Sequence, residues 1–394
     1  MISVSQAVQL ITDHCMPTEP VRATLSEAAG LVLAADVVSP IDLPPFKQSG
    51  MDGYAFRFQD LPPHTTLTVT GVIAAGDSSP RAIQQGQAAR IFTGAPLPEN
   101  ADTVVMQEKI SLEGDQLRIL QTDLAKGDHT RLPGAEVRSG TVALQKGVVL
   151  GPAAIGFLAG MGITSVLVFK KPVVSLIITG NELTQPGNAL PFGQVYEASS
   201  FALRAAFRNL PAVLSEAVYV PDDPERIRET LKEALHASDI VLLTGGVSVG
   251  DFDFVTNAAE EAGVTRLFHR VKQKPGKPLF AGKIGAKVVF GLPGNPSSVL
   301  TCFYRYVVPA IERLTGRGQL LITLTVPFTG DYHKNAGMTH FLKGSFRNGT
   351  ASVLTAQESY RLSSFAHANC LICAEEHREH YQTGDMVEIY LLPD

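Results

Sequence analysis

The apolar positions of this chain change spacing several times, and the changes predict its domains. Met1 to Cys15 repeats apolar residues at helical spacing, with Ser3 and Gln6 placed as a capping box. Leu25 to Ala35 reads as a second helix-like segment, ending at Asp36-Val37-Val38-Ser39-Pro40. Prolines then punctuate a loop in which Met51-Asp52-Gly53-Tyr54-Ala55 is a tight turn into a strand. From about Tyr54 to Glu136 the runs are strand-length: Thr66 to Ile73, Gln87 to Phe92, Thr103 to Gln107 and Gln116 to Gln121. They predict a small β domain inserted into the first domain. Gly147 to Phe169 carries no charge, and about twenty apolar residues can span a bilayer. Its glycines and Pro152 instead predict strand, short helix, strand.

From roughly Lys170 to Gly316 the pattern alternates. Strand signals at Val173, Val213, Asp239, Val264 and Lys287 are interleaved with helix signals after Ser200, Pro224, Phe252 and Pro296. Such alternation predicts a doubly wound, mostly parallel α/β sheet with helices on both faces. Beyond Gly316 strands return, predicting a compact C-terminal β domain. The expected domains are residues 1–43 with 138–169, then 44–137, 170–316 and 317–394.

The candidate chemistry sits where three of the central strands end. Val173 to Ile178 runs into Thr179-Gly180-Asn181-Glu182-Leu183, and Asp239 to Leu243 runs into Thr244-Gly245-Gly246-Val247-Ser248-Val249-Gly250-Asp251-Phe252-Asp253. Lys287 to Phe290 runs into Gly291-Leu292-Pro293-Gly294-Asn295-Pro296. Ligands of open α/β sheets bind at that edge. Glycines admit close backbone approach to a phosphate, and paired aspartates suit a hard cation such as Mg²⁺. For the middle loop alone, a helix cap at Asp251 or Asp253 explains the pattern equally well. Asp52 on spacing alone is a turn residue, and Thr93 either caps a turn or donates to an anion.

Charge sharpens the picture. The net charge is −5, which gives no global basic field for nucleic acid. Against that background His269, Arg270, Lys272, Lys274 and Lys277 cluster around Lys274-Pro275-Gly276-Lys277-Pro278. A stiff basic loop beside three glycine loops points to a polyanionic small molecule, a solvated charged face being the alternative. Cys15, Cys302, Cys370 and Cys373 form no disulfide framework and fit a reducing cytoplasm. Cys370 and Cys373 with His377 and His380 have the wrong spacing for a zinc finger and lie in a strand-like run.

Ser49 to Ala55, Thr93-Gly94-Ala95-Pro96, Thr179 to Leu183, Thr244 to Gly250, Lys274 to Pro278 and Gly291 to Pro296 together closely resemble one family. It is the molybdopterin molybdenumtransferases, the bacterial MoeA proteins and the gephyrin E domain, and the resemblance covers the whole chain in order. It implies a central domain of the molybdopterin-binding type and a β-barrel-like C-terminal domain. It also implies insertion of molybdate into adenylylated molybdopterin with release of AMP, assisted by Mg²⁺. The family's homodimers bring the inserted β domain of one subunit to the α/β domain of the other. A contact with a molybdopterin adenylyltransferase is expected; nucleic acid and membrane are not.

By the same resemblance, Asp52, Glu182, Asp222, Asp253, Lys274 and Lys277 carry the catalysis. Thr93, Glu136, Gly245, Gly246, Ser248, Gly250, Arg270, Pro293, Asn295 and Pro296 contact substrate. Glu182, Asp222, Asp251 and Asp253 supply Mg²⁺ ligands, and Lys277, Lys343 and Ser359 hold molybdate. Four places depart from the family pattern: Lys343 for arginine, Ala135-Glu136 for Glu-Asp, Asn181 for aspartate, and Glu197-Ala198-Ser199 for an Asp-Ser/Thr-Asn triplet. Two other readings share the frame: a non-catalytic carrier of the pterin or scaffold, and a molybdopterin adenylyltransferase or nucleotide pyrophosphatase.

Overall fold

The structure, a computed structural model, describes residues 1–61, 66–78, 82–246 and 254–393. The chain forms two compact units, one of Met1–Arg22, Gly30–Ala34 and Leu167–Asp394, the other of Ala23–Ala29 and Ala35–Val166.

The larger unit contains a six-stranded sheet in the order Val213–Val220, Val173–Thr179, Ile240–Thr244, Lys287–Leu292, Phe280–Ile284, Thr265–His269. The first four strands are parallel, and the last two add an antiparallel edge. The inner strands read as unbroken apolar runs because both faces are covered. Within Val173–Thr179, Leu176 and Ile178 point to a core shared with Leu203, Phe207 and Val299. Ile177 points to the opposite core, with Ile227, Leu231 and Val255. The strand period of two thus divides one apolar run between two helical layers. Pro224–Ala237 opens with Pro224 in its first turn, and the Asp223 side chain accepts from the Arg226 amide at 3.0 Å.

The first helix, Val4–His14, is closed by the expected capping box of Ser3 and Gln6. It buries Ala7 and Ile11, one helical turn apart, against the first of those two cores. The second helix-like segment is much shorter than its sequence suggests. Only Leu25–Ala28 is helical, capped by Thr24 and Glu27. Gly30 then adopts φ +79°, and Leu33 pairs as an extended residue with Val168.

The C-terminal strands close into a barrel: Thr339–Arg347, Thr350–Val353, Thr323–Thr329, Met386–Leu391 and Cys370–Ala374, the last pairing back to the first. A sixth, short strand, Gln273–Lys274, joins its edge from the α/β domain, setting Lys274 beside His340. Cys370 and Cys373 lie within the barrel wall, and burial pushes both thiols up to about 12, against metal ligation.

The smaller unit is built on another six-stranded sheet: Thr103–Met106, Gly53–Phe56, Gln87–Ile91, Thr66–Ile73, Gln116–Ile119, Ile110–Glu113. Its chain is led in and out by two antiparallel pairs, Val37–Val38 with Val142–Leu144 and Gln48–Ser49 with Thr130–Arg131. Pro152–Gly160 is the short helix expected, with Pro152 in its first turn. Among the described residues no helix is long and apolar enough to cross a membrane.

His340 gives the larger unit a pH signature. It is buried, with Nδ1 2.7 Å from the Tyr332 hydroxyl. Burial, then repulsion from Lys274 and Lys334, lowers its imidazole from 6.5 to about 4. Between those values the unfolded chain binds a proton that the folded chain refuses. Stability is therefore complete above pH 6.5 and falls towards pH 4, by up to about 3 kcal/mol. Urea denaturation across that range is expected to show this acid loss in the native protein and a flatter profile in His340→Gln.

Candidate functional site

The parallel strands fix the site by register. Ile178 pairs with Thr244, and Thr244 pairs with Leu292, so three loops leave the sheet side by side. Gly245 shows why glycine is needed there. Its φ is +86°, and a Cβ would lie 2.1 Å from the Thr179 carbonyl oxygen. Only a bare backbone lets the second loop press against the first.

In front of these loops lies a cavity of about 560 Å³, a size suited to a small ligand. Of the expected residues, Glu182, Gly245, Gly246, Arg270, Lys274, Lys277, Pro293, Asn295 and Ser359 line it. Pro296 lines a second cavity of about 330 Å³ that shares Glu182, Gly245 and Asn295 with the first. Among the described residues, three cationic side chains and one carboxylate line the larger cavity, a balance that suits a polyanion. Arg270 holds φ +70°, and its buried Nε has no protein partner among the described residues. Asn295 Nδ2 donates to the Ser359 hydroxyl at 2.9 Å, tying the third sheet loop to a loop of the C-terminal domain.

The basic loop is held from behind by residues that no sequence motif marks. Gln273 is fully buried, and its Nε2 donates to the carbonyls of Pro275 (3.0 Å) and Gly276 (3.2 Å). Its Oε1 accepts from the Tyr306 hydroxyl. Burial holds that hydroxyl well above its usual titration range, so it remains a donor. Tyr306 lies in Phe303–Val307, a π-helical turn within the long helical stretch that follows the third loop. Gly276, at φ +84°, packs over Cys302, where a Cβ would come within 2.4 Å of Sγ. Met338 and Gln357 also line the cavity and were not expected. Nothing local distinguishes them, since they reach it only through barrel closure.

Two expected ligands are otherwise engaged. Lys343 is 2% exposed, and its ammonium donates to the carbonyls of Ala356 (2.8 Å), Glu358 (3.3 Å) and Arg361 (3.0 Å). Its three donors are spent on the loop that bears Ser359, so it lies behind that loop and is not a cavity-lining cation. Burial also lowers its pKa. Asp222 lines neither cavity. One carboxylate oxygen accepts from the Thr179 hydroxyl and the other from the Asn181 amide at 3.1 Å, which fixes the first glycine loop. Of the departures from the family pattern, Asn181 answers this pair by accepting from the Asp222 amide at 3.2 Å. Glu197 is buried and accepts from the Ser200 amide (2.7 Å) and hydroxyl (2.6 Å), a helix-start role.

Asp52, Thr93 and Glu136 belong to the smaller unit. There Asp52 Oδ1 accepts from both the amide (2.7 Å) and the hydroxyl (2.8 Å) of Thr93. Those bonds, with Arg90 nearby, lower its pKa and keep it anionic. Glu136 borders a separate cavity of about 570 Å³ with Arg131 and Gln48. Ser248, Gly250, Asp251 and Asp253 lie outside the described residues.

Comparison with known proteins covers nearly the entire chain. Residues 2–162 match the MoeA N-terminal region (domain I and II), 175–313 a probable molybdopterin binding domain, and 325–392 the MoeA C-terminal region (domain IV). A molybdopterin molybdenumtransferase of Haemophilus influenzae is 33% identical over 398 residues, covering 99% of this chain and 98% of the relative. One from Staphylococcus aureus is 31% identical over 400 residues, covering 99% and 95%. A crystal structure of the molybdopterin biosynthesis MoeA protein of Pyrococcus horikoshii superposes with a TM-score of 0.85 at 31% identity, covering 99% of this chain and 100% of that one.

The anchoring of the basic loop is testable. Gln273→Leu leaves the Tyr306 hydroxyl and two carbonyls without their partner, at a cost of roughly 3 kcal/mol by denaturant unfolding. Calorimetry with inorganic pyrophosphate is expected to show weaker binding in the same variant. Gly245→Ala is expected to cost about 1–3 kcal/mol through backbone overlap and a strained φ.

Proposed function

The chain belongs to the family of MoeA-type molybdopterin molybdenumtransferases, enzymes of molybdenum cofactor biosynthesis, and we propose that it inserts molybdate into adenylylated molybdopterin with release of AMP. The single observation that supports this chemistry best is the cavity lined together by Arg270, Lys274, Lys277 and Glu182 with Gly245 and Gly246 of the sheet-edge loop. Adenylylated molybdopterin is a polyanion with a phosphoanhydride at its centre. Guanidinium and ammonium groups would bind its phosphates and stabilise charge on the departing AMP oxygen as that bond breaks. The backbone amides at Gly245 and Gly246 would position the phosphates, with Ser248 and Gly250 continuing the same loop. Pro293, Asn295 and Pro296 would shape the remaining wall.

In this proposal molybdate is held by Lys277 and Ser359. Asn295 orients the Ser359 hydroxyl, and Lys343 acts from behind by fixing the loop that carries it. In this proposal Glu182, which lines the cavity, holds Mg²⁺ with Asp222, Asp251 and Asp253, all hard oxygen donors, and the Asp222 carboxylate also braces the neighbouring turn. When bound there, Mg²⁺ would neutralise phosphate charge. We further propose a cytoplasmic homodimer in which Asp52, Thr93 and Glu136 of the smaller unit also contact substrate. An adenylyltransferase would supply that substrate.

A carrier without turnover is the second reading, and Lys343 favours it, because the cation expected for molybdate is spent on three carbonyls.

Incubation of the pure protein with adenylylated molybdopterin, Mg²⁺ and molybdate separates the two. Molybdate-dependent AMP release and formation of active cofactor are expected, slowed about 10²-fold or more in Lys277→Met and Glu182→Gln. Asp253→Ala is expected to abolish it. Tight pterin binding with no AMP release would overturn the transferase reading and leave the carrier.

A further inference from the structure

The residues that the site does not use include a second cluster suited to ligand chemistry. Asp331–His333 and His380–Gln382 form an isolated antiparallel ribbon beside the C-terminal barrel, with His333 directly opposite His380. Asp331 lies two residues before His333, so strand alternation puts it on the same face. The two imidazoles stack at 3.9 Å with their planes 9° apart. Both turn Nε2 to one carboxylate: His333 Nε2 is 2.9 Å from Asp331 Oδ1, and His380 Nε2 is 3.2 Å from Oδ2. The donor atoms of all three residues lie within 4.8 Å of one another.

We propose that this face binds a divalent transition-metal ion of the zinc, nickel or copper group, through His333 Nε2, His380 Nε2 and the Asp331 carboxylate. A tetrahedral ion with metal–ligand bonds of about 2.0–2.1 Å requires donors roughly 3.3 Å apart. The nitrogen–oxygen separations already stand near that value, and ligation requires the two stacked rings to rotate so that both Nε2 lone pairs meet at one ion. Two neutral imidazoles and one carboxylate select borderline metals over Mg²⁺ or Ca²⁺, which prefer all-oxygen shells. This separates the surface site from the carboxylate loops of the main cavity.

Its position suggests what the ion does. The inner face of the ribbon is anchored by Tyr381 and Tyr332, which pack into the barrel core, and its outer face carries the two histidines. The ion links its two strands at their facing pair. The three ligands are all exposed, so its remaining positions stay open to water. The ligand set differs from Cys370, Cys373, His377 and His380, whose spacing is wrong for a zinc finger. Only His380 is common to both, because register, not sequence distance, brings it to His333.

The test uses full-length protein stripped with chelator and held in excess Mg²⁺, titrated with ZnCl₂ by calorimetry. Zn²⁺ binding is expected in the native protein. It should be roughly ten- to hundred-fold weaker in His380→Gln and in Asp331→Asn. His377→Gln, a neighbour outside the cluster, is expected to bind normally. Circular dichroism confirms that each variant is folded. With Co²⁺ in place of Zn²⁺, visible absorption bands should appear in the native protein and not in His333→Gln/His380→Gln. No Zn²⁺ binding up to millimolar concentration would overturn the proposal. So would binding that persists undiminished in the double variant.

Discussion

The cation-lined cavity depends on one buried amide. Gln273 has no charge and touches solvent nowhere, yet its Nε2 holds the carbonyls of Pro275 and Gly276 while Tyr306 holds its Oε1. In a low-dielectric interior a fully satisfied polar network fixes one geometry, and a half-satisfied one is costly. That stake gives the loop carrying Lys274 and Lys277 a definite position. The π-helical turn at Phe303–Val307 contributes by placing Tyr306 where the amide needs it. Because Gln273–Lys274 is also the edge strand of the barrel, one short segment serves both the α/β domain and the C-terminal domain.

The same economy holds at the sheet edge. Thr179 and Asp222 fix the first loop, Gly245 lets the second approach it, and Asn295 ties the third to Ser359. These contacts make the backbone of the site rigid without using the cavity-facing charges, which stay available to a ligand. Preorganised charge in a partly desolvated pocket stabilises developing oxyanions better than mobile charge in water. Substitutions away from the family pattern are partly absorbed by this framework. Asn181 returns a hydrogen bond to Asp222, and Glu197 accepts from the start of the helix Ser199–Phe207.

Lys343 shows how a charge that matches a family position can take a different role. Lysine presents a compact ammonium with three donors, whereas arginine presents a planar fork. Three carbonyls of residues 356–361 converge on that ammonium and saturate it. The residue remains tied to the molybdate proposal, but through the Ser359 loop it supports.

The sequence by itself determined most element types, the doubly wound centre, the β-rich flanks and the sheet edge at which the glycine loops leave the strands. Those properties are local: an unbroken apolar run ending in glycine, as at Ile240–Thr244, needs no distant partner to be recognised. It also marked Arg270, Lys274 and Lys277, because a basic cluster stands out in an acidic chain. Helical spacing persists from Leu25 to Ala35, but the backbone turns at Gly30, so the helix is only Leu25–Ala28. Only tertiary structure decided that Gln273 anchors the basic loop, that Lys343 faces carbonyls, and that His333 meets His380. Each of these depends on the register between strands or the packing between domains, and a side chain's partner across such a join has no fixed distance along the chain.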